Sequence, residues 1–145
     1  MRSFLTTAIA GATFALALTV GVPANAAATS FKADMTGAQE TPPADSAGKG
    51  QVDAAYDDAT KKLTWTITYS DLSGPASAAH FHGPAQVGEK AGPVVPIEGD
   101  LKSPIKGEAT LTDAQAKELQ DGLWYFNVHT EKFPDGKIRG QVTKQ

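Results

Sequence analysis

The chain has 145 residues, of which 20% are charged, a formal net charge of −3 and no cysteine. An acidic balance without a basic patch argues against nucleic acid as a partner, and the missing cysteines exclude disulfides and thiolate metal sites. Stability therefore has to come from packing, with help from any metal that is bound.

Met1 to Ala26 reads as a secretory signal peptide. Arg2 supplies a positive start, Phe4 to Val22 is dominated by apolar and small residues without a charge, and Ala24-Asn25-Ala26 is a cleavage pattern. The competing reading is an uncleaved membrane anchor; no cysteine follows the run to carry a lipid. Cleavage would leave a single domain over residues 27–145, with net charge −4 once Arg2 is lost, periplasmic or secreted and free of the membrane.

After the cleavage pattern the chain reads as short strands separated by turn chemistry. Phe31 to Met35 alternates, and Thr41 to Gly50 is a loop by its Pro, Gly, Ser and Asp content. Gln51 to Tyr56 and Leu63 to Tyr69 form a hairpin about Asp57 to Lys62. In its second arm Leu63, Trp65, Ile67 and Tyr69 make one apolar face and three threonines the other. Leu72-Ser73-Gly74-Pro75 breaks the chain before a strand from Ala76 to His82. Gly83 to Lys106 is loop-dominated, with an apolar island at Val94 to Ile97, and reads either as a wall for a site or as a connection.

Gly107 to Leu111 is a brief strand. Thr112 then opens the one helix as N-cap, with Gln115 completing a capping box and Gly122 stopping it; Ala116 and Leu119 are its apolar stripe. Trp124 to His129 is a strand, Pro134-Asp135-Gly136-Lys137 reads as a hairpin turn, and Ile138 to Val142 closes the sheet. About seven strands with one short helix predict an all-β fold, an antiparallel Greek-key β-sandwich or barrel.

The chemistry concentrates in the three histidines of the chain. Side chains two apart in a strand share a face, so His80 and His82 project together, away from Ala79 and Phe81. By the same alternation His129 joins Tyr125 and Asn127 opposite the apolar row of Trp124, Phe126 and Val128. If the two strands are neighbours, three imidazoles converge on one ion. Imidazole without thiolate suits copper(II), with zinc as the alternative. Glu40 is a candidate fourth ligand or an acceptor that fixes an imidazole; a solvated loop carboxylate is its plainer role. Three surface histidines bonded to loops are the plainer reading of the whole set. No nucleophile triad, phosphate loop or paired-carboxylate motif assigns a catalytic residue.

Gly37-Ala38-Gln39-Glu40-Thr41-Pro42-Pro43, Ala79-His80-Phe81-His82-Gly83-Pro84-Ala85, Gly92-Pro93-Val94-Val95 and Trp124 to Gln141 resemble, in order, the CHRD domain, the module first named from chordin. That resemblance implies a β-fold and an extracytoplasmic setting, with no defined reaction. More loosely, His80-Phe81-His82 and Val128-His129-Thr130-Glu131-Lys132 are similar to copper-ligating segments of the copper/zinc superoxide dismutases. The chain lacks the bridging histidine, the zinc cluster and the disulfide of that family, so the likeness implies at most a mononuclear copper site.

Three expectations follow: an exported copper module for sequestration, delivery or oxidant defence; a metal-free module that contacts an envelope or extracellular protein; or a copper-only dismutase-like enzyme. The second predicts an exposed apolar patch at Val94 to Ile97.

Overall fold

The computed structural model describes residues 27–145, so the expected signal peptide over residues 1–26 lies outside the described residues. Eight strands are present among the described residues: β1 (Thr29–Thr36), β2 (Lys49–Asp57), β3 (Lys62–Ser70), β4 (Ala76–His82), β5 (Pro93–Pro96), β6 (Ile105–Thr110), β7 (Trp124–Thr130) and β8 (Phe133–Lys144). All pair antiparallel in one sheet of order β5-β4-β7-β8-β1-β2-β3-β6. Trp65 of β3 and Phe81 of β4 lie near opposite ends of that order, yet their ring centroids are 5.4 Å apart. The sheet is therefore rolled into a nearly closed barrel around one core, the all-β architecture expected.

Alternation explains the core. In β3 Leu63, Trp65 and Ile67 are buried while Thr64 and Thr68 are exposed, and β1 and β2 repeat the pattern. Phe31, Val52, Phe81, Trp124, Phe126 and Ile138 fill the interior.

The helix α1 (Asp113–Gln120) has the predicted capping box. Thr112 Oγ1 accepts from the Gln115 amide at 3.2 Å, and Gln115 Oε1 accepts from the Thr112 amide at 3.0 Å. Gly122, at φ +73°, is the stop that only glycine adopts without strain. Ala116 and Leu119 are buried, and Glu118 accepts from the Trp124 indole at 3.1 Å, which ties the helix to the start of β7.

Two expectations are corrected. Val94 to Ile97 is not an island in a loop: Pro93–Pro96 is β5, paired with β4. Pro134-Asp135-Gly136-Lys137 is not the hairpin turn either. Glu131 and Lys132 make the turn, Thr130 pairs with Phe133, and residues 134–137 bulge opposite His129 before Ile138 rejoins Val128. The Pro, Asp and Gly content that signals a turn also suits an irregular stretch of strand, because it tolerates unpaired backbone.

Candidate metal centre

Strand order decides whether the histidines meet. β4 and β7 are neighbours, with His80 opposite Asn127, His82 opposite Tyr125 and Ala78 opposite His129. All three imidazoles leave the face opposite the core, as alternation predicts. That face would be wet in an ordinary barrel. Here every residue of β7 is buried, and His82 and His129 are each only 8% exposed.

The cover comes from three irregular stretches. Residues 83–92 cross over His82, whose Nδ1–H donates to the Ala91 carbonyl at 2.9 Å. The bulge of β8 brings the Pro134 carbonyl to 2.8 Å from His129 Nδ1–H. Residues 37–48 hold Glu40 and meet the first stretch where Thr41 Oγ1 donates to the Gly88 carbonyl at 3.4 Å.

These carbonyls settle the tautomers. A carbonyl only accepts, so His82 and His129 carry their protons on Nδ1 and turn Nε2 lone pairs inward. His80 Nδ1 lies 3.2 Å from His129 Nε2, and one ligand nitrogen from each ring falls within 4.8 Å of the others. Nitrogens bound tetrahedrally at about 2.0 Å from an ion stand about 3.3 Å apart, so the His80–His129 pair has ligand spacing and His82 needs a small inward movement. His82 Nε2 is buried without a hydrogen-bond partner among the described residues. An orphaned lone pair facing two further imidazoles is what a cation satisfies.

Electrostatics favour the same state. Burial lowers the pKa of all three histidines; for His80 the neighbouring His129 and His82 lower it further. Neutral imidazole is the ligating form.

Around the centre sit groups that position it. Tyr125 stacks on His82 with ring centroids 4.7 Å apart and planes 4° apart, and its hydroxyl donates to the Ala91 carbonyl at 3.1 Å. Arg139 of β8 lies over the Tyr125 ring at 3.5 Å and is 3% exposed. Tyr125 and Asn127 thus stand beside the histidines, as their row predicts. The two carbonyls and the burial of Arg139 are not readable from residue types: a carbonyl has no sequence signature, and arginine is ordinarily a surface residue.

Glu40 is placed differently. Its carboxylate is not among the ligand atoms that gather at the three histidines. It is 6% exposed, its Oε1 has no partner among the described residues, and burial pushes its pKa up to about 7 against the pull of Arg139 and Lys90. Gly136 makes room for it, since a Cβ there would fall 2.6 Å from the Glu40 carboxyl carbon.

No curated protein and no solved structure matches the chain. The CHRD domain family matches residues 31–142, and that span runs from β1 to β8 and holds every residue of the centre just described. By that match the chain belongs to the CHRD domain family.

Proposed function

We propose that this CHRD domain is a metal-binding module of an exported protein, with His80, His82 and His129 as the ligands of one divalent ion. The observation that carries the reading is the convergence of three buried or half-buried ring nitrogens, two of them aimed by backbone carbonyls. Copper(II) is the favoured ion and zinc(II) the alternative, because an all-imidazole set suits both. A three-ligand site leaves a position open, so the bound ion would act as a Lewis acid or, if copper, as a one-electron centre. On loading, His80 would carry its proton on Nε2 in place of the Nδ1 that donates to His129, and the Ala91 and Pro134 carbonyls would hold the other two rings in place throughout. Sequestration, delivery and defence against oxidants are the roles this chemistry serves, in the periplasm or outside the cell.

The metal-free interaction reading finds less support. Val95 is buried and Val94 and Ile97 are half-buried against the core, which leaves little of the exposed apolar patch that reading predicts.

Copper titration followed by electron paramagnetic resonance tests the proposal. The wild type should give one saturable copper(II) signal with nitrogen hyperfine coupling, and the triple variant His80→Ala, His82→Ala, His129→Ala should lose it. An equal, weak signal from both proteins would sink the proposal. Superoxide consumption by the loaded protein above that of free copper would place it in oxidant defence.

A further inference from the structure

Strands β5 and β6 end the sheet, and their outer edges face each other across a cavity of about 380 Å³ without pairing. β5 has four residues, two of them proline, so little of its backbone can donate to a new strand. β6 has six residues, contains no proline and is paired only to β3, on one side. A free edge of this kind is a template for a further strand.

The side chains of β6 specify which strand. Ile105 is buried, Gly107 and Ala109 are half-buried, and Lys106, Glu108 and Thr110 are exposed. Gly107 lies directly against Trp65, where a Cβ would be 2.8 Å from the indole. About Gly107 the sequence Ile105-Lys106-Gly107-Glu108-Ala109 is a chemical palindrome: apolar at both ends, with opposite charges flanking the centre. We propose that β6 pairs antiparallel with β6 of a second copy, about a two-fold axis through Gly107, and joins two barrels into a dimer.

In that register Lys106 stands beside Glu108 of the partner subunit and Glu108 beside Lys106 of the partner subunit, both on the solvent face. Ile105 and Ala109 meet in the same way on the core face. Neighbouring registers are worse. Moving the axis to residue 106 or 108 sets like charges across it, and a one-residue slip turns the apolar row of one copy towards the solvent face of the other. Glu108 already meets Lys62 of its own chain at 2.9 Å. A uniformly acidic partner would repel Glu108 and a uniformly basic one would repel Lys106, whereas a second copy of the chain sets an opposite charge beside each. The contact is isologous, the symmetry most soluble dimers use.

Sedimentation velocity over a concentration series, with and without chelator, tests this. The wild type should show a monomer–dimer equilibrium that chelator leaves unchanged and added salt weakens. Lys106→Glu places two carboxylates opposite each other at both pairs, and should weaken the dimer about tenfold or more. The triple variant Lys62→Glu, Lys106→Glu, Glu108→Lys exchanges the signs across the two-fold axis and keeps residue 108 paired with residue 62 of its own chain, and should recover affinity to within about threefold of wild type. A wild type that stays monomeric overturns the proposal, as does a dimer indifferent to Lys106→Glu, one not recovered by the triple variant, or one that chelator dissolves.

Discussion

Strands β3 and β7 follow the same rule of alternation and reach opposite outcomes on their outer rows. β3 presents Thr64 and Thr68 to water, whereas β7 hides Tyr125, Asn127 and His129 beneath chain that folds back over it. Their inner rows are equivalent: Trp65 on one and Trp124 on the other both pack against Phe81. The difference thus lies in what covers a strand rather than in the strand. Covering a polar row costs desolvation at every group, and that cost is offset only where each group finds a partner. Seven buried side-chain atoms have none among the described residues: Tyr56 OH and Trp65 Nε1 sit on the inner rows of β2 and β3, while Glu40 Oε1, His82 Nε2, Asn127 Oδ1, Arg139 Nη2 and Gln141 Oε1 belong to the covered half. An ion at the three histidines would directly satisfy His82 Nε2.

The largest effect expected is on the inner row, where the two halves should behave alike. Trp124 is fully buried and its indole donates to Glu118, so Trp124→Ala should cost about 3–5 kcal/mol in denaturant unfolding. Trp65→Ala should cost a similar amount. If Trp124→Ala were nearly neutral while Trp65→Ala was not, the covered half would not share the core that makes the comparison fair.

A smaller effect separates the halves by pH. Burial lowers the histidine pKa values from 6.5, so their contribution to stability is complete above that value and is lost as pH falls below it through the lowered folded values. Glu40 runs the other way. Its folded pKa of about 7 lies above the ordinary 4.5, so its contribution is complete below 4.5 and is lost as pH rises towards 7. Glu40→Gln removes only the second of these. Its melting temperature relative to wild type should therefore climb between pH 4.5 and pH 8 in metal-free protein. A constant offset across that range would show that Glu40 ionises as freely as a surface carboxylate, and that its cover is open.

Much of this was legible in the residues. The strand carrying His80 and His82 has the bounds its pattern gives, Ala76–His82, and the helix has the cap that Thr112 and Gln115 announce. The shared face of the three histidines also follows from alternation alone, because period two is a property of the strand itself. Their meeting does not follow, since it depends on β4 lying next to β7, across some fifty residues of chain. The bulge at 134–137 was hidden for a related reason. Its composition is that of a turn, and only the long-range pairing of Ile138 with Val128 shows that the chain has already turned at Glu131 and Lys132. Glu40 reads as a loop carboxylate because its burial is created by Gly136 and the bulge, far away in sequence.

The smallest effect should fall on the open row. Thr68 is exposed on β3, lies opposite Gln51 of β2 and makes no side-chain hydrogen bond among the described residues. Thr68→Ala removes a β-branched residue from a solvated face, so only strand preference is lost, about 0.5 kcal/mol or less. It should also leave copper binding untouched, since it acts on a different half of the barrel. A cost above about 2 kcal/mol would mean that the threonine face is covered in solution, and β3 would then have to be treated as a second buried polar row.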